Sequence, residues 1–134
     1  MLLSLDDFEE AARRVLPRPI FGYAFGGSET GASMRANRAV WDEYSFVPKM
    51  LIDTSSRSQK TTLFGRSYDS PFGIAPMGGT SMAAFEGDLV LARAAAKANI
   101  PMAMSGAALT PLEDVRAEGP TAWFQAYLPG DDET

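Results

Sequence analysis

A chain of 134 residues with 46% hydrophobic and 22% charged side chains has the balance of an ordinary globular sequence and the length of one domain. Lys and Arg number 12 against 17 Asp and Glu, and a formal charge of −5 is a poor footprint for nucleic acid, whose affinity comes from neutralised phosphate. With no Cys, disulfides, thiolate nucleophiles and Cys-ligated metals are excluded; with no His, the commonest general base and metal ligand is missing too.

The chain opens MLLSLDDFEE, which lacks the basic region of a signal peptide and turns acidic at once. Apolar stretches are broken well short of the ~20 residues a membrane span needs, so the expected location is the cytoplasm, without a membrane partner. Leu5, Phe8, Ala12, Val15 and Leu16 recur at helical spacing, with acids early and Arg13 and Arg14 late, as a helix dipole prefers. Ser4 and Asp7 have capping-box spacing, and Pro17 and Pro19 stop the helix. A short apolar helical turn, PIFGYAFGG, ends at Gly26 and Gly27, and residues 29–41 predict a third helix with Ser28 as its cap. Residues 44–51 read as extended, and residues 61–64 and 66–68 as two strands turning at Gly65.

From Pro71 the texture changes. PFGIAPM, IPMAMSG and TAWFQAYL are apolar strand-like runs, separated by the helical GDLVLARAAAKAN and by TPLEDVRAE, with Thr110 as the second helix's cap. Apolar strands alternating with helices predict an α/β fold with a parallel sheet. The expected division is residues 1–70, helices and hairpin, then residues 71–134.

In parallel α/β folds, binding groups gather at the C-terminal ends of strands. That rule selects residues 75–80, then Ser105 to Ala107, then Gln125 and Tyr127. Gly78 and Gly79 allow close approach to main-chain N–H groups, although such a pair also makes ordinary turns. Ser105 offers a hydroxyl, which can equally satisfy backbone. Gln125 is the most telling, because an amide inside an apolar strand needs a buried partner. Tyr127 alternates with it and shares its face. The set suits a planar, hydrogen-bonding heterocycle, and the methionines suit core gaps better than a site.

Several of these segments, in order, are also the marks of a family. FGYAFGG, the spacing of Asn37 to Trp41, VPKML, LFGRSYDSPFGIAPMG, EGDLVLARAAAKANIPMAMS, LEDV and WFQAYL together resemble the N-terminal part of the FMN-dependent α-hydroxy-acid dehydrogenases and oxidases. The resemblance implies the first three βα units of an FMN-binding (β/α)8 barrel, preceded by helices and a β-hairpin. It implies that Tyr23 holds a substrate carboxylate, that Ala75, Pro76, Met77 and Gly78 lie against the flavin, and that Ser105 and Gln125 contact its ring. Tyr127 would touch substrate and flavin edge. Where some members carry Trp, Ala107 leaves room for an aromatic or branched hydroxy acid such as mandelate, and Gly78 agrees with a mandelate-dehydrogenase-like member.

A whole barrel needs about 250 residues. The family's catalytic His, its carboxylate-pairing arginines, its flavin-neutralising Lys and its phosphate loop belong to later strands. These residues are therefore expected to be inactive alone, as part of a longer or split enzyme with a second chain carrying the rest and a tetrameric assembly. The rivals are a truncated, inactive fragment and a self-contained flavin-binding module without turnover.

Overall fold

The computed structural model describes residues 3–128 and residue 130. They divide into two compact units, Met1–Ser56 and Arg57–Thr134.

In the first unit, α1 (Asp6–Val15) and α2 (Arg18–Phe25) are followed by α3 (Ala32–Ala39), which tightens into a 3₁₀ turn at Val40–Glu43. The capping box at α1 forms by half. Leu5 takes the cap position with helical φ/ψ and makes no side-chain cap bond. The Asp7 carboxylate instead accepts from the backbone N–H groups of Leu3 (2.6 Å) and Ser4 (2.9 Å). Those two bonds, Leu3 first, hold the Asp7 carboxyl below its ordinary range. A depressed folded-state pKa means stabilisation that is present above the unfolded value and lost as pH falls through the folded one. An NMR titration from about pH 6 to about pH 2 should show the Leu3 and Ser4 amides moving with a midpoint below that of ordinary Asp, with α1 fraying over the same window. A midpoint at or above the ordinary value would mean the cap is absent in solution.

Pro17 ends α1 as expected, whereas Pro19 sits inside the first turn of α2, where a missing N–H costs nothing. The Arg13 guanidinium lies 5.0 Å from the Phe21 ring centroid, joining α1 to α2, and Phe21 stacks on Phe25 at 4.6 Å. The third helix starts at Ala32 rather than at residue 29. Glu29 and Gly31 have φ of +48° and +68°, a left-handed backbone that cannot belong to the helix, and Gly31 takes the cap position in place of Ser28. Residues 44–49 carry no regular secondary structure.

In the second unit, β1 (Thr61–Leu63) and β2 (Arg66–Tyr68) pair antiparallel, with Leu63 opposite Arg66. The two-residue loop has positive φ at both Phe64 (50°) and Gly65 (77°), the mirror-image turn that suits hairpin twist. The bulky Phe64 is strained there, and its ring meets Trp123 edge-on at 5.5 Å. The hairpin groups with residues 69–134 and not with the three helices before it, so the division falls at 56/57 rather than 70/71. Tyr68 is buried, and the Asp69 N–H donates to the Asn99 carbonyl at 2.9 Å.

After the hairpin the backbone alternates as expected. Ile74 bridges Met102 in parallel, α4 (Thr80–Ala83) and α5 (Gly87–Ala98) follow, and β3 (Ala103–Ser105) pairs in parallel with β4 (Trp123–Gln125) across α6 (Leu112–Glu118). The first predicted strand is thus one bridge wide. The Ile74 N–H donates to Pro101 and the Ile74 carbonyl accepts from Ala103, but Pro76 has no N–H with which to extend the ladder. The third strand stops at Gln125, so Tyr127 lies beyond it. Thr110 does not cap α6, where Pro111 holds that position; its hydroxyl is committed to Asp88. Ala92 and Ala95 of α5, Val115 of α6, Ala122 and the two strand methionines, Met102 and Met104, form the buried core, with Leu89, Leu91 and Ile100 around it.

Candidate functional site

The parallel strands deliver Ser105 and Gln125 side by side at their C-terminal ends, in register across the ladder. Ser105 is buried, and its Oγ lies 3.4 Å from Gln125 Oε1 as donor. The Gly106 N–H donates to the same Oε1 at 3.4 Å, and Gln125 Nε2 donates to the Ala126 carbonyl at 3.0 Å. The Ala107 N–H turns back onto Ser105 Oγ at 3.1 Å. Two contacts of 3.4 Å are at the weak end of hydrogen bonding, so Gln125 Oε1 has acceptor capacity that a better-placed donor can use.

The glycine loop closes on this pair from the side. A Cβ on Gly78 would come within 3.1 Å of the Ala107 methyl and 3.8 Å of Ser105 Oγ, and the Gly79 N–H donates to the Ala107 carbonyl at 3.3 Å. Gly79, at φ +64°, makes the turn possible. A side chain on Gly106 would meet the Gln125 carbonyl at 2.7 Å and the Tyr127 ring at 3.1 Å. Gly78, Ser105, Ala107, Gln125 and Tyr127 are therefore brought together. Ala75, Pro76 and Met77 lead into the loop with exposed side chains. Tyr23 stands on α2 of the first unit, 80% exposed.

Two residues inside the selected ranges have features that the sequence did not assign to them. Gly106 supplies a main-chain donor to Gln125, signalled only by a glycine directly after an apolar strand. Thr80 Oγ1 is buried without a hydrogen-bond partner at the start of α4, directly after the glycine loop. A shallow groove of about 700 Å³ on the first unit, lined by Arg35, Arg38, Trp41 and Asp42 among others, includes none of the expected residues. Among the described residues no group of three or more carboxylates is placed to hold a metal ion.

The donor set fits a flat heterocycle that both gives and accepts hydrogen bonds. Gly78 lies so close to Ala107 that a Cβ would crowd it, and beside it Gln125 presents a carbonyl oxygen held by two 3.4 Å contacts, one of them from the Ser105 hydroxyl.

Among known proteins, the chain is 38% identical over 125 residues to 4-hydroxymandelate oxidase of Amycolatopsis orientalis, covering 93% of this chain and 35% of that one. It is 37% identical to L-lactate oxidase of Lysinibacillus sphaericus, covering 90% and 32%. It superposes on the solved structure of a soluble mutant of the membrane-associated (S)-mandelate dehydrogenase of Pseudomonas putida with a TM-score of 0.88 at 35% identity, over 96% of this chain and 37% of that one. The chain thus spans about a third of the length of the relatives it matches. No helix among the described residues is long and apolar enough to cross a membrane. Residues 12–134 match the family model for FMN-dependent dehydrogenases, so the chain belongs to the FMN-dependent dehydrogenase family, whose cofactor is FMN.

Proposed function

We propose that these residues form the first three βα units of an FMN-binding (β/α)8 barrel, in an enzyme that oxidises a mandelate- or lactate-like α-hydroxy acid to the 2-keto acid. The observation that carries the reading is the meeting of Ser105, Gln125 and the Gly78–Gly79 loop at the C-terminal ends of parallel strands, where such folds bind their ligands. Bound there, FMN supplies the acceptor for the two electrons that leave the α-carbon. Gln125 and Ser105 would hold the polar edge of its ring, with the backbone of Ala75, Pro76, Met77 and Gly78 against its face. Tyr127 would line the substrate side with Ala107, whose methyl leaves space for a phenyl or branched group. Tyr23 would take the carboxylate.

A base must also accept the hydroxyl proton. The 134 residues contain no His, and the buried Asp88 already accepts from Thr110. In the family that the chain resembles the catalytic His belongs to later strands, so in this reading the base would be that His, on the same polypeptide or on a second one. The reading includes a cytoplasmic location and a homo-oligomer, a tetramer, whose measure is the mass of the intact assembly.

Titrating the chain with FMN should quench flavin fluorescence, and adding mandelate should leave the bound flavin's absorbance unbleached. Absence of binding would remove the site assignment. Adding a second polypeptide that carries the later strands should then restore bleaching by mandelate, and a flavin that stays oxidised in that completed protein would favour the self-contained module. Robust bleaching by the chain alone would show that the chemistry needs nothing further.

A further inference from the structure

Asp88 is the one buried carboxylate of the second unit's described core, with 2% of its surface exposed, and its partner is a neutral hydroxyl rather than a cation: Thr110 Oγ1 donates to Asp88 Oδ2 at 3.0 Å. A carboxylate in the first turn of the twelve-residue α5 gains from the helix dipole, but an exposed Asp would gain the same without losing its water. Burial has to serve something else. Thr110 lies at the far end of the connection between β3 and α6, twenty-two positions along the chain. That connection is already held at its start, where the Ala107 N–H meets Ser105 Oγ (3.1 Å) and the Ala108 N–H meets the Ser105 carbonyl (3.1 Å). Its middle is held by the Gly79 N–H on the Ala107 carbonyl (3.3 Å). Next to Asp88, Gly87 packs so closely on Thr80 that a Cβ would lie 2.8 Å from the Thr80 carbonyl oxygen, which fixes the first turn of α5 to the segment after the glycine loop.

We propose that Asp88 and Thr110 are positioning residues of the candidate site: their hydrogen bond latches the β3–α6 connection onto α5 and so keeps Ala107 seated against Gly78 and Gly79. The functional half of this inference rests on the flavin-site reading above; the latch itself does not. Without the bond, the hydrogen bonds left to residues 106–110 are those to Ser105, the 3.4 Å contact of the Gly106 N–H with Gln125 Oε1 and the 3.3 Å contact with the Gly79 N–H, all at or before Ala108, so the Thr110 end of the connection is released and the seat of Ala107 against Gly78 loosens.

The full chain carrying Thr110→Val, which keeps the shape and removes the donor, is compared with Thr110→Ser, which keeps the donor. Amide hydrogen exchange by NMR and FMN titration by fluorescence are read on both. In Thr110→Val the Gly79 and Ala107 amides should exchange about tenfold faster, while Ala95 in the middle of α5 stays within about twofold of the unsubstituted chain. FMN affinity should fall about tenfold in the same variant, and Thr110→Ser should restore both readouts. Unchanged Gly79 and Ala107 exchange in Thr110→Val, an equal loss in Thr110→Ser, or a loss shared evenly with Ala95 would each overturn the latch. Failure of the unsubstituted chain to take FMN would remove the flavin reading, while the exchange measurement still decides the latch.

Discussion

Gln125→Leu should weaken FMN binding by roughly 30- to 100-fold, about 2–3 kcal/mol, while changing the stability of the second unit by no more than about 1 kcal/mol. The asymmetry comes from the geometry. In the free chain the amide oxygen is held by two contacts of 3.4 Å, from Ser105 Oγ and the Gly106 N–H, which are weak to begin with. Leu has nearly the same volume, so little packing is lost. In the proposed flavin-bound state the same oxygen and the Nε2 group would face a polar ring edge, and a leucine there would leave those ring atoms without partners. Fluorescence titration measures the first effect and urea unfolding the second. Equal FMN affinities for the variant and the unsubstituted chain would mean that the heterocycle does not sit beside Gln125.

Gly73→Ala should destabilise the second unit by about 3 kcal/mol or more, without any change in polarity. The added Cβ would overlap the Pro101 carbonyl oxygen, with the Pro101 carbonyl carbon 2.9 Å away, and neither atom belongs to a movable side chain. The Pro101 carbonyl oxygen is also the acceptor of the Ile74 N–H at 2.9 Å, so relieving the overlap opens the bridge that ties the first predicted strand to β3. The matched control is Gly22→Ala. Nothing lies within 4 Å of a Cβ at Gly22, and an alanine inside α2 should stabilise that helix by about 0.5–1 kcal/mol. Urea unfolding of the two variants should move in opposite directions. A Gly73→Ala chain as stable as its parent would show that the bridge at Ile74 is not formed in solution.

Local features were legible in the sequence. The α5 and α6 helices and the strands flanking them could be read because apolar runs and helical periodicity are written within ten or so residues of each other. Gln125 stood out because its polarity conflicts with its immediate neighbours. The misreadings share the opposite property. Thr110 has the spacing of a helix cap, but its hydroxyl is claimed by Asp88 from another helix, a contact no short window contains. The hairpin was assigned to the helices before it because nothing in residues 61–68 announces the Asp69 to Asn99 hydrogen bond. The first strand looked as long as the others because a proline's missing donor matters only once a neighbour is beside it. At α3 the error was backbone: Glu29 adopts a left-handed φ that side-chain pattern does not encode. The site residues were selected by the strand-end rule and by family resemblance. Their mutual geometry, including the part played by Gly106, needed the fold.

β4 is paired with β3 along one side only, and among the described residues no strand lies against its other side. From Thr121 to Leu128 the chain reads TAWFQAYL, eight residues rich in aromatic and apolar side chains, without a proline or a formal charge. An uncovered rim of backbone donors and acceptors, with no Lys or Arg standing guard, is the template on which identical chains stack into cross-β assemblies. The practical consequence concerns the 134 residues handled without the strands proposed to follow them: material concentrated for crystallisation should thicken toward fibrils nucleated at this rim, and Phe124→Lys, at a position already 52% exposed, should delay their onset.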